Sequence, residues 1–238
     1  MPETLRSIAK MIDHSLLHPT LTDQDLLEGC HLARDHDVAS VCIKPYAVTL
    51  ALRALAGSDV AVGTVVGFPH GNSRVAVKLK EAECALADGA TELDMVVNIG
   101  KVLSNDWEYV GDEVRLLNEL AVSRGAILKV IFENDFLPRD EFKIKLCQMS
   151  NKHHVAFAKT STGYGFTKRG NGMYSYDGAT DHDLKLMRAT CDLSVHIKAA
   201  GGVRTLDDIL RVRALGVTRV GATATASILA EAKSRGYQ

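Results

Sequence analysis

Four charged side chains stand within or at the edge of apolar runs of this sequence: Asp94 in LDMVV, Lys129 in ILKVIF, Lys159 directly after VAFA and Lys198 in VHIKAA. A lysine in such a run is costly to bury in its charged form, so it needs either a partner or a chemical use. Taken alone, Lys159 reads as a strand-end lysine whose stem packs while its ammonium reaches water. If Lys198 ends an adjacent strand, two ammonium groups converge and each lowers the pKa of the other. A lysine kept partly neutral by burial and a cationic neighbour is what a Schiff-base nucleophile requires near neutral pH. Asp94 adds a carboxylate from a further strand, with two readings open: a proton relay in carbinolamine formation, or a structural ion pair with one of the lysines. Lys129 either joins this cluster or pairs with Glu133.

Gly201 and Gly202 follow the penultimate apolar run and Gly221 lies in the last one. Turn geometry accounts for glycines in such places; so does a phosphate site built from backbone N–H groups after the last strands of a barrel. Among nine histidines, His14 and His18 are spaced i, i+4 and His153 and His154 are adjacent, but no H-E-x-x-H is present and no third ligand is evident, so no metal site is expected. Cys42 reads as a small core residue. Neither G-x-S-x-G nor a G-x-G-x-x-G after the first strand occurs, which weakens a hydrolase and a dinucleotide-binding reading.

The elements that must position these groups are legible. Runs at 38–44 (VASVCIK), 60–68 (VAVGTVVGF), 93–97, 127–132, 155–158, 195–200 and 219–222, with a short segment at 11–17, make eight buried strands. Thr22-x-x-Asp25, Thr180-x-x-Asp183 and Thr205-x-x-Asp208 each mark a helix start. Helices are further expected at 112–123, stopped by Gly125, and at 75–88, stopped by Gly89. Strict alternation predicts a parallel sheet covered by helices. Eight strands in 238 residues fit a closed (β/α)8 TIM barrel, one domain over 1–238. The main irregularity is an enlarged loop at 162–180, either a floppy insertion or a lid.

Composition narrows the partners. Lys plus Arg number 28 and Asp plus Glu 29, a formal charge of −1 that argues against nucleic acid. No stretch has the roughly 18 apolar residues of a membrane span. Charged residues interrupt the first 17 positions, against a signal peptide, and five scattered cysteines without C-x-x-C fit a reducing, cytoplasmic setting.

With these residues in view, the sequence resembles the deoxyribose-phosphate aldolases, a family of class I (β/α)8 enzymes. The segments that carry the resemblance are IDHSLL at 12–17, VCI at 41–43, VVGFP at 65–69, ELDMVVNIG at 92–100, LKVI at 128–131, AKTSTG at 158–163 and KAAGGVRT at 198–205. The resemblance implies Lys159 as the Schiff-base lysine, Lys198 as the lysine that perturbs it, Asp94 as the acid/base residue, and no cofactor. It implies a substrate site involving Gly163, Gly201, Gly202, Gly221 and Thr223, a small sugar phosphate or aldehyde as substrate, and a homodimer as one possible assembly. The implied reaction is reversible cleavage of 2-deoxy-D-ribose 5-phosphate to D-glyceraldehyde 3-phosphate and acetaldehyde. The alternatives are the same mechanism with another acceptor aldehyde, or a silent barrel that binds a sugar phosphate. Two departures bear on the choice. Where the family has a Gly-x-Ser-Ser-type segment, this chain has Gly221-Ala222-Thr223-Ala224-Thr225; and the loop after Lys159 is long, with Tyr164 beside Gly163 and with Lys168 and Arg169 as candidate compensating cations. Tyr237 is a candidate for the carboxy-terminal tyrosine that some members use in proton transfer.

Overall fold

The computed structural model describes residues 4–238; residues 1–3, the start of the amino-terminal stretch considered above, lie outside the described residues. In chain order the strands are β1 (Ile12–Leu16), β2 (Ser40–Ile43), β3 (Ala61–Val66), β4 (Glu92–Val96), β5 (Ile127–Ile131), β6 (Phe157–Lys159), β7 (Thr167–Lys168), β8 (Tyr174–Ser175), β9 (His196–Ala200) and β10 (Arg219–Ala222). All but β7 and β8 form a closed barrel, with β1 paired in parallel to both β2 and β10. Each of the eight apolar runs supplies one barrel strand. The sixth lies slightly later than expected, so that Lys159 is its last residue.

Alternation along the strands sorts the side chains. Leu93, Met95, Leu128, Val130, Ala158, Ile197 and Ala199 belong to the continuous apolar core. The residues between them, Asp94, Lys129, Lys159 and Lys198, meet one another across the barrel interior. Period-two geometry thus puts the hydrophobic stabilisation outside the sheet, at about 1.5–3 kcal/mol per large apolar side chain, and frees the interior for polar groups.

Helices at Asp23–Asp35, Val75–Ala87, Trp107–Ser123, Asp140–Lys152, Asp181–Thr190, Leu206–Ala214 and Thr225–Ser234 are the longer ones of the outer layer. Thr22 and Thr205 make reciprocal capping boxes with Asp25 and Asp208. Thr180 caps its helix too, but Asp183 does not return the bond; its carboxylate instead pairs with buried Lys143 at 2.6 Å. The helix expected at 112–123 starts at Trp107, because Asp106 accepts a hydrogen bond from the Tyr109 N–H. Lys78, on the helix expected at 75–88, is wholly buried; its Nζ lies 2.6 Å from Glu113 and donates to the Val96 carbonyl at 2.6 Å. No helix among the described residues is long and apolar enough to cross a membrane.

The 162–180 segment is neither a helix nor a shapeless insertion: β7 and β8 pair as an antiparallel hairpin. Its return is pinned, since the Asp135 carboxylate accepts from the N–H groups of Asp177 (2.5 Å) and Gly178 (3.1 Å), and Ala179 N–H donates to the Gly201 carbonyl at 3.0 Å.

Candidate active site

Register fixes the central residues. Lys159 on β6 lies opposite Lys198 on β9, which lies opposite Arg219 on β10; Asp94 on β4 lies opposite Lys129 on β5. Asp94 Oδ2 is the meeting point, 2.7 Å from Lys159 Nζ and 2.7 Å from Lys198 Nζ. The expected convergence of Asp94, Lys159 and Lys198 is therefore present, and all three are buried.

The cluster extends further than the sequence indicated. Lys198 Nζ also pairs with Asp13 Oδ2 at 2.5 Å. Lys129 joins it, at 2.8 Å from Asp13, 2.6 Å from Glu92 and 3.2 Å from Asp94 Oδ1. Its expected alternative partner, Glu133, is elsewhere, accepting hydrogen bonds from the Thr162 hydroxyl and N–H. Arg219 completes the set, with Nε 2.7 Å from Asp13 and Nη2 2.7 Å from Glu92. Asp13, Glu92 and Arg219 were missed because each sits at or near a strand start, where a charge reads as solvent-facing. The spacing Glu92-x-Asp94 was a usable signal, since it places two carboxylates on one face of a strand.

The lysines are not equivalent. Burial pushes Lys159 below its ordinary pKa and the Lys198 ammonium adds to the depression, against the pull of Asp94. Burial acts on Lys198 in the same sense, but Asp13 and Asp94 reverse it and leave Lys198 above its ordinary value. The net perturbations of the two lysines are therefore opposite in sign, because Lys198 has two carboxylates where Lys159 has one. Burial alone would raise Asp94, yet Lys129, Lys159 and Lys198 hold it well below the usual carboxylate range.

Above the network, at the carboxyl ends of the strands, lies a cavity of about 190 Å³. Lys159 and Lys198 line it, as do all five expected substrate-site residues, Gly163, Gly201, Gly202, Gly221 and Thr223. Gly201 and Gly202 have φ of 84° and 85°, in the left-handed region that favours glycine. A Cβ at Gly221 would come within 3.3 Å of Ala200 Cβ, a tight approach, and would touch Lys198 Cε at 3.8 Å. The hairpin loop contributes Tyr164 and Tyr176, and the turn after β9 contributes Arg204, which donates to the Tyr176 hydroxyl at 3.3 Å. Cys42 also lines the cavity, its thiol pushed up to about 11 by burial and by Asp94.

Other expectations fall away. Lys168 and Arg169 are not in the cavity wall; Arg169 is turned to Ser175 and Asp177. Tyr237 packs on the apolar core beside the helix Leu5–Ala9 that precedes β1, where Leu5 N–H donates to the Gln238 carbonyl, so it lies at the opposite end of the barrel. His14 is buried on Thr225 at 2.8 Å while exposed His18 bonds Thr20, so the two do not converge. Among the described residues, Asp140, His182 and Asp183 could approach one cation, but the Lys143 ammonium already stands 2.6 Å from Asp183 and 3.4 Å from Asp140.

A closed parallel barrel with charged groups converging on a cavity at the carboxyl ends of its strands is an enzyme architecture. The family model for DeoC/LacD family aldolases matches residues 7–223. A deoxyribose-phosphate aldolase of Rhodopirellula baltica is 49% identical over 228 residues, 96% of this chain and 90% of its own. One of Caldanaerobacter subterraneus subsp. tengcongensis is 42% identical over 235 residues, 98% of this chain and 97% of its own. The solved deoxyribose phosphate aldolase of Aeropyrum pernix, described as tetrameric, superposes with a TM-score of 0.83 at 29% identity, covering 98% of this chain and 93% of that one. The chain belongs to the DeoC/LacD aldolase family.

Proposed function

We propose that the chain reversibly cleaves 2-deoxy-D-ribose 5-phosphate to D-glyceraldehyde 3-phosphate and acetaldehyde through an imine on Lys159. The observation that carries this reading is the position of Lys159: it ends β6 in the cavity wall, buried, with its single carboxylate partner shared with a second lysine. Family membership and the names of the relatives support it.

Neutral Lys159 attacks the C1 aldehyde of the open-chain sugar, and loss of water leaves an iminium ion. Removal of the C3 hydroxyl proton, assigned to the Asp94–Lys198 pair, breaks the C2–C3 bond; its electrons pass to the iminium nitrogen and glyceraldehyde 3-phosphate departs. The remaining two-carbon enamine takes a proton at carbon, and hydrolysis of the resulting imine releases acetaldehyde and restores Lys159. Lys198 is the better proton carrier and Lys159 the better nucleophile, since two carboxylates keep Lys198 charged.

We assign the phosphate to the Gly201–Gly202 turn, Gly221 and Thr223, with Arg204 as the cation, in the place foreseen for Lys168 and Arg169. Arg204 lines the same cavity as these residues, which favours the phosphorylated sugar over an uncharged acceptor. The reading is tested by treating the protein with acetaldehyde and borohydride and mapping the two-carbon adduct by mass. Modification at Lys159 is expected, and an adduct elsewhere or none refutes it. Turnover of deoxyribose 5-phosphate against unphosphorylated deoxyribose tests the phosphate site, and near-equal kcat/KM refutes that assignment.

A further inference from the structure

Below the two lysines, the barrel interior continues as ion pairs toward the amino ends of the strands. Glu92 and Arg219 close this lower part: Arg219 binds Asp13 and Glu92 at 2.7 Å each, and Glu92 binds Lys129 at 2.6 Å. The connected set contains three carboxylates, Asp13, Glu92 and Asp94, and three cations other than Lys159, namely Lys129, Lys198 and Arg219. Formal charge therefore cancels when Lys159 carries no proton, and a protonated Lys159 puts the buried set one charge in excess. In a water-poor interior such an excess has no nearby counter-ion to offset it.

We propose that Glu92 and Arg219 are positioning residues of the reaction, closing the buried ion network so that its charges balance with Lys159 as the free amine. They reach Lys159 only through the network: Arg219 is separated from it by Lys198, one strand away from each. The groups facing Lys159 divide between this ion-paired set and its surroundings. Asp94, Lys198 and Cys42 are its neighbours on β4, β9 and β2, and Cys42 is held as the neutral thiol. Glu133, after β5, is engaged by the Thr162 hydroxyl and N–H and makes no ion pair with the set; burial pushes its carboxyl above its ordinary pKa. Tyr164, Tyr176 and Arg204 belong to the cavity wall above.

This inference rests on the Schiff-base reading of Lys159, and its test separates the two. The rate of borohydride-trapped adduct formation with acetaldehyde is followed against pH in the full chain and in Glu92→Gln, Arg219→Met, Arg219→Lys and the double variant Glu92→Gln/Arg219→Met. Two inter-strand spacings set a unit charge about 10 Å away, which at an effective dielectric near 20 moves a midpoint by roughly one pH unit. The pH at which trapping is half-maximal is expected to rise by about one unit in Arg219→Met and to fall by about one in Glu92→Gln. The double variant and Arg219→Lys, which restore the balance, return it to the parent value. A purely structural role would move Arg219→Lys with Arg219→Met and shift both charge variants in one direction or not at all. Either pattern overturns the proposal while the parent still forms its Lys159 adduct; absence of that adduct in the parent overturns the mechanism as well. Should Arg219→Met lack the circular-dichroism spectrum of the fold, Glu92→Gln decides, since a midpoint that stays or rises is the refuting result.

Discussion

Replacing Lys198 by Met gives the sharpest perturbation of the proposed chemistry. Lys159 and Lys198 each lie 2.7 Å from Asp94 Oδ2, so their nitrogens are at most about 5.4 Å apart. At an effective dielectric near 20, a unit charge at that distance is worth roughly 3 kcal/mol, or about two pH units of midpoint. Loss of the cation also leaves Asp94 Oδ2 to Lys159 alone, which acts in the same direction. Lys159 should therefore take up its proton about two units higher, and at any pH below both midpoints the free amine should be about 100-fold scarcer. The assay is the acetaldehyde and borohydride trapping rate between pH 5 and 10, with the adduct site mapped by mass. No carboxylate is left unpaired, because Asp13 keeps Lys129 at 2.8 Å and Arg219 at 2.7 Å while Asp94 keeps Lys159. The stability loss in urea should accordingly stay near or below about 3 kcal/mol, the low end for breaking a buried pair. A folded Lys198→Met protein whose trapping midpoint is unchanged or lower would refute the reasoning.

Four other perturbations follow from single contacts. His14 has its pKa pushed down to about 4 by burial and His36, so between there and its ordinary 6.5 the unfolded chain binds more protons; stability should be full above pH 6.5 and fall by about 3 kcal/mol on acidification to pH 4, and His14→Gln should flatten that part of the curve in urea titrations at stepped pH. Lys78→Met strands the Glu113 carboxylate in the helix layer and should cost about 3–5 kcal/mol in urea unfolding, with kcat per folded molecule unchanged. Gly202→Ala forces φ of 85° on a residue with a Cβ and should cost roughly 1–2 kcal/mol of stability while raising KM for the phosphorylated substrate more than it lowers kcat. Asp135→Ala removes the acceptor for the Asp177 and Gly178 N–H groups, so limited trypsinolysis after Lys168 or Arg169 should accelerate about tenfold as the hairpin opens locally.

What the sequence disclosed follows from where the information is local. Eight strands were legible because each is a short apolar run bounded by turn or helix signals, and the threonine caps because a side chain that accepts from the N–H three residues on is a local event. Asp94, Lys159 and Lys198 stood out because a charge in an apolar run breaks the pattern. Arg204 and Tyr176 did not, because their place in the wall depends on the hairpin returning against the Gly201–Gly202 turn, which no short window contains. Lys168 and Arg169 were attractive as substitutes for a missing hydroxyl because they are close to Lys159 in sequence, yet the hairpin turns Arg169 toward Asp177.

The choice between the two lysines is the clearest case of a property that only closure of the barrel creates. In sequence they are nearly interchangeable, since each lies at or near the end of an apolar run and is followed by a small-residue segment. Closure brings β1 against β10, and β10 against β9, which delivers Asp13 to Lys198 at 2.5 Å. Lys159, on β6, has Asp94 as its carboxylate partner. One extra carboxylate reverses the sign of the perturbation on Lys198, so the pair divides into one lysine pushed above its ordinary pKa and one pushed below it. The same closure explains why the interior tolerates so much charge: each carboxylate of the network meets at least two cations, and the apolar faces of the strands are committed to the helices outside. On the proposed mechanism, the nucleophilic amine follows from charge stoichiometry inside the barrel rather than from burial alone, because burial acts on Lys159 and Lys198 alike and cannot by itself distinguish them.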